Sequence, residues 1–174
     1  MASPYMNGIF MSLANLLRLR GGPQYLPTSW SLTLFLLAAY LVQNLITGQQ
    51  LEDEYAAVKS LVAISLQVTV LASLLYWRRH TERFAQTLSA LAGVGIIFNA
   101  VTWALLTQSD PALSQPMLAL VWFAVFIWSL FVDANIYRHA LSVTLSMGML
   151  ITVLTLAASY ILIELLFLAG SGAT

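Results

Sequence analysis

No cysteine occurs anywhere in the sequence. Disulfides, thiolate-bound metals, iron–sulfur clusters and thiol nucleophiles are thereby excluded. Charge is nearly as scarce: 8% of the 174 residues are Asp, Glu, Lys or Arg, where a soluble domain carries about 25%. Seven cations balance seven anions, so no basic excess exists to draw in nucleic acid. The five prolines fall before, between or at the very start of the long apolar runs, so nothing suggests the broken helices of many transporters. Chemical signatures are missing too. No Walker-type Lys–Ser/Thr follows Gly21-Gly22, and neither an HExxH nor a GxSxG pattern is present. What remains is hydrophobicity: 60% of residues are apolar and mean hydropathy is +0.83. Such a chain cannot expose most of its surface to water.

The apolar residues form five runs, at about 28–47, 56–77, 84–107, 116–137 and 140–168. As a helix the last would extend roughly 43 Å, against a hydrocarbon core of about 30 Å. Each run is therefore read as a membrane span. Trp30 anchors the first at the interface, and Pro116 fits the first turn of the fourth, where its missing N–H costs nothing. Ahead of them, Met6, Ile9, Phe10, Leu13, Leu16 and Leu17 fall on one helical face and Asn7, Ala14, Asn15 and Arg18 on the other. That pattern predicts an interfacial amphipathic helix, since Arg18 and Arg20 follow the apolar residues and a signal peptide would have them first. Gly21, Gly22, Pro23 and Pro27 end it. The expected organisation is an all-α polytopic membrane bundle: a lead-in over 1–22, five spans over 23–169 and a flexible tail over 170–174. With the N-terminus inside, Arg18, Arg20, Arg78, Arg79, Arg83 and Arg138 all fall on the cytoplasmic side and only Lys59 on the other, as the positive-inside rule requires. The C-terminus is then outside.

Few residues remain to carry function. Gln67 and Asn99 sit near the middle of the second and third spans, where an amide facing lipid leaves hydrogen-bonding groups unsatisfied. Both should turn inward, as interhelical glue worth about 0.6–2 kcal/mol each or as the lining of a solute path. Lys59 and Glu164 share the outer level, as an ion pair or as snorkelling side chains. Ser89, Gly93 and Gly95, with Ser142, Ser146 and Gly148, suit close helix packing. Asp133, Arg138 and His139 join Arg18, Arg20, Arg78 and Arg79 in a cytoplasmic rim that would meet lipid head groups or a partner. His139 and Asp133 lack metal-site spacing, and no oxyanion loop accompanies Ser142 near His139. The acidic run Glu52, Asp53 and Glu54 lacks the spacing and glycine of a cation-binding loop and reads as a solvated connection. No catalytic residue, metal or cofactor is expected.

The five-span plan, the amphipathic lead-in and two segments resemble small bacterial inner-membrane proteins distantly similar to the Yip family. The segments are Leu16-Leu17-Arg18-Leu19-Arg20-Gly21-Gly22-Pro23-Gln24-Tyr25-Leu26-Pro27 and Tyr137-Arg138-His139-Ala140-Leu141. The resemblance implies a non-enzymatic, membrane-organising role in a bacterial inner membrane. The first expectation is thus a scaffold or accessory subunit of a membrane complex, with lipids, other subunits or further copies as partners. The alternative is a small transporter or channel using Gln67, Asn99, Lys59 and Glu164. A scaffold needs a dry, packed bundle; transport needs a polar cavity open to water.

Overall fold

The computed structural model describes residues 4–50, 55–109 and 115–171. They form six helices: α1 (Pro4–Leu17), α2 (Trp30–Gln50), α3 (Ala56–Trp77), α4 (Phe84–Leu106), α5 (Pro116–Leu141) and α6 (Leu145–Ser171). No strand occurs among the described residues. α2 to α6 are each long and apolar enough to cross a membrane, and α1 is shorter. The protein is a multi-pass membrane helical bundle. Glu52, Asp53, Glu54 and residues 110–114 of the connection before Pro116 lie outside the described residues, as does the tail from 172 onward.

Two boundaries differ from the sequence reading. The break between the last two spans, expected at Arg138-His139, falls at 142–144. α5 runs on to Leu141 and closes with Ser142 in the left-handed region (φ 53°, ψ 50°), while the Val143 N–H bonds back to the Arg138 carbonyl at 3.0 Å. This is a Schellman-type stop made without glycine. Thr144 then starts α6, its hydroxyl accepting from the Met147 N–H at 3.3 Å. At the far end, α6 continues to Ser171, so residues 170 and 171 are helical, where a flexible tail was expected.

Around the bundle the spans neighbour one another in the order α2, α4, α5, α6, α3 and back to α2. α2 and α4 run parallel, fastened by the Thr33 hydroxyl. That hydroxyl lies 2.8 Å from the Ser89 hydroxyl and donates to the Ala85 carbonyl (3.2 Å) and the Ser29 carbonyl (3.0 Å). α5 and α6 form a tight antiparallel hairpin at Gly148, whose position against the Ala134 and Arg138 backbone leaves no room for a side chain.

Packing is graded along the bundle axis. The buried cluster holds the end of α3 (Leu71, Leu75), the start of α4 (Leu88 to Val94), the end of α5 (Val132 to Leu141) and Ile151 near the start of α6. All of these lie toward the end that carries Arg78, Arg79, Arg83 and Arg138, called the basic end below. Among the described residues, the opposite halves of the spans contribute only Gly48 to the buried set. α1 is built into this core: Leu13 and Leu16 are buried, with Leu13 seated on Gly93 of α4. Phe10, turned roughly 60° round the helix from Leu13, is exposed together with Met11. The apolar face of α1 is therefore split between the bundle and the outside.

Candidate functional site

Where the packing loosens, four spans enclose a half-open cavity of about 480 Å³. α2 supplies Leu37 and Tyr40, α3 supplies Ile64, Gln67 and Val68, and α4 supplies a stripe from Leu88 to Thr102. α5 contributes Trp122, Phe126, Ser129 and Asp133, which recur every three to four residues and so share one helical face. α6 does not reach it. The cavity begins at Asp133, roughly 12 Å along α5 from its basic end, and reaches Thr102, roughly 6 Å from the far end of α4.

Its walls are mainly apolar and aromatic, with a few polar groups among them. Gln67 and Asn99, both half-buried, line it together, and the Asn99 side-chain nitrogen is buried without a hydrogen-bond partner. Ser129 donates to its own helix, at the Phe126 carbonyl (2.7 Å). Tyr40 lies over Gly95, where any added carbon would strike its ring. The bare glycine lets that ring stand against α4. Deeper still, the Tyr137 hydroxyl is buried beside Gln67 and Thr155 with no hydrogen bond of good geometry. A cluster of under-satisfied polar atoms bordering one cavity marks a place that prefers a polar occupant.

Asp133 occupies the floor. The sequence reading set it in the cytoplasmic rim beside Arg138 and His139, and the structure moves it. Five residues turn a helix by roughly 140°, so Asp133 faces the cavity while Arg138 is exposed on another side. Neither the ion pairs nor the hydrogen bonds among the described residues include the Asp133 carboxylate, and no Lys, Arg or His lines the cavity.

The rest of the rim assembles at the basic end. Arg78 and Arg138 flank a hollow with Ser142, Thr144 and the first turn of α6, and Arg138 and His139 share a second with Gln24 and Arg83. Arg83, which the sequence reading left out of the site, is its best-held member. Its guanidinium donates to the carbonyls of His139 (3.2 Å) and Ala140 (3.3 Å) and to the Ser142 hydroxyl (3.2 Å), closing the negative end of α5. His139 Nδ1 lies 2.8 Å from the Asn135 carbonyl, and the buried Asn135 amide donates to the Gly21 carbonyl at 2.9 Å, tying the lead-in to α5. Arg18, Arg20, Arg78 and Arg79 are exposed. Lys59, half-buried on α3, and Glu164, exposed on α6, do not line the cavity. Tyr25, Trp30, Tyr76 and Trp77 are exposed at the basic end, as an aromatic interface belt would be. Groups of three or more metal-ligating side chains are absent among the described residues.

Comparison with protein-family models, with curated proteins and with solved structures finds no match.

Proposed function

We propose that this membrane protein is a non-enzymatic solute-binding protein, a small transporter or carrier whose ligand enters the cavity between α2, α3, α4 and α5. One observation carries the reading: Gln67, Asn99, Ser129 and Asp133, polar groups from three spans, converge on one half-open cavity. A dry bundle built only to span or to scaffold gains nothing from a carboxylate at that depth, which is costly in lipid. Volume and lining fit the usual ligand pocket, several hundred Å³ of apolar wall with a few placed polar groups. The packed basic end closes the floor, so access is from the far end or from the bilayer beside Phe123 and Phe126, which are exposed although they line the cavity. With the basic end cytoplasmic, by the charge asymmetry, the cup faces outward.

The chain's lack of cysteine supplies the test. Single substitutions Thr102→Cys and Ser129→Cys should react with a charged, membrane-impermeant thiol reagent added to the side opposite the basic end. Ala90→Cys, in the packed core, should not. If Ser129→Cys stays unlabelled from either side while an exposed site such as Gln108→Cys reacts, the cavity is dry and the proposal fails.

A scaffold or subunit role, which the resemblance to the Yip family favours, keeps second place on a different observation. The two hollows at the basic end present Arg78, Arg138 and His139 to whatever lies beyond the bundle. That surface suits a partner or anionic head groups and makes no use of the cavity.

A further inference from the structure

We infer that the ligand of the cavity is a lipophilic organic cation, with Asp133 as its counter-charge. This rests on the proposed solute-binding role and names the chemistry of the solute. The first ground is electrostatic. Asp133 lies within a membrane span and faces the cavity with no cationic side chain lining it. A carboxylate there is retained at high cost unless something positive or a proton meets it. The Tyr40 and Tyr137 side chains lie within its electrostatic reach, and they are neutral dipoles that offer no compensating charge.

The second ground is the wall. Tyr40, Phe98, Trp122, Phe123 and Phe126 surround the same space, and aromatic faces attract cations, most strongly when both are removed from water. A bare metal ion is the wrong size for about 480 Å³ and would want a close shell of oxygen ligands. The oxygens here come from four helices and spread from Asp133 to Thr102, and no group of three or more metal-ligating side chains occurs among the described residues. A proton would neutralise Asp133 without using the aromatic wall or the volume. An amine, quaternary ammonium or phosphonium bearing apolar groups uses all three. The amides of Gln67 and Asn99 then fix its orientation more than its affinity. Exposed Phe123 and Phe126 give such a molecule a route from the lipid phase.

The probe is tetraphenylphosphonium, titrated into the full-length protein in lipid nanodiscs and followed by equilibrium dialysis. Triphenylphosphine oxide serves as a neutral analogue. Saturable binding of the cation is expected, at least tenfold weaker in Asp133→Asn and preserved within about tenfold in Asp133→Glu, with the neutral analogue at least tenfold weaker and indifferent to Asp133→Asn. Tenfold corresponds to about 1.4 kcal/mol. Phe126→Leu, which keeps the charge and most of the volume but removes the aromatic face, should weaken the cation severalfold and the neutral analogue little. Cation binding that is equal in wild type and a folded Asp133→Asn, or a neutral analogue that binds as tightly, overturns the inference. If neither probe binds while Ser129→Cys is labelled, the cation assignment falls and the solute-binding reading survives. If labelling also fails, both fall.

Discussion

The α5–α6 hairpin makes a sharp quantitative prediction, because three glycines in the same protein have three different surroundings. A carbon added to Gly148 would run into the Ala134 carbonyl oxygen and stand 3.1 Å from its carbonyl carbon and 3.3 Å from the Arg138 nitrogen. All of these are backbone atoms, which cannot rotate away. Carbon pairs settle at about 3.5–4.0 Å, so a carbon held 3.1 Å from another stands on the repulsive side of contact. Overpacking of this kind costs about 1–3 kcal/mol, against about 1 kcal/mol gained from the better helix propensity of alanine. Gly148→Ala should therefore destabilise by up to about 2 kcal/mol. At Gly93 the obstacle is Leu13 Cδ2, at 2.8 Å, the mobile end of a side chain. A rotamer shift of about 0.5–1.5 kcal/mol roughly cancels the propensity gain, so Gly93→Ala should be near neutral. Nothing lies within 4 Å of the carbon that Gly8→Ala would add, and that change should be neutral or stabilising. Reversible unfolding in mixed micelles, read by tryptophan fluorescence, ranks the three. A Gly148→Ala protein as stable as Gly8→Ala would refute both the contact and the reasoning from it.

Thr33→Val removes the hydroxyl that links α2 to Ser89 and Ala85 and should cost about 0.6–2 kcal/mol in the same unfolding assay, with insertion unchanged. Arg83→Met keeps the apolar stem and deletes the Nη1 donor that reaches three acceptors at the end of α5. Because that guanidinium is one-third exposed, solvent screening limits the loss to about 1 kcal/mol, accompanied by faster hydrogen exchange of residues 141–145. Leu16→Glu puts a charge in a site that is 0% exposed and should abolish stable folding, whereas Phe10→Glu, at 68% exposed, should leave the bundle folded and only loosen α1 from the membrane. Equal tolerance of the two would mean that α1 is not part of the core.

Much of this fold is written in local pattern. Five apolar runs with polar or proline-bearing connections leave little choice but five spans, and Pro116 and Trp77 mark edges that the helices respect. The boundary between α5 and α6 was hidden because its signal is unusual. Ser142 takes a conformation that usually announces itself with glycine, and the conspicuous polar pair Arg138-His139 sits inside the helix. The position of Asp133 is legible in the helical period. Its nearness in sequence to Arg138 suggested a shared rim, while the helical period places it with Ser129, Phe126 and Trp122 on one face. Gln67 and Asn99 were identified by cost alone, since amides at mid-span must find partners, but not their convergence with Asp133. That depends on the α2–α4–α5–α6–α3 order, which no local pattern encodes. The links from Arg83 to the end of α5 and from Asn135 to Gly21 join residues more than fifty positions apart, and nothing in either neighbourhood announces them.

The division of the bundle into a packed half and a cavity-bearing half follows from where the small residues fall. In α4, residues 84–94 include Ala85, Ser89, Ala90, Ala92 and Gly93, and this half is buried almost throughout. Small side chains let α1, α2 and α5 approach closely there. Beyond Gly95 the same helix carries Phe98, Asn99, Thr102 and Trp103, and burial falls away. Larger groups hold the neighbours apart, and the space they leave is the cavity. Asp133, Gln67 and Tyr40 sit at the level where one regime gives way to the other. A carboxylate deeper in the packed half would have no space for an occupant. One nearer the far end would reach water unaided and need no partner. At the junction it stands over a packed floor and faces the cavity, with Gln67 and Asn99 on the same walls.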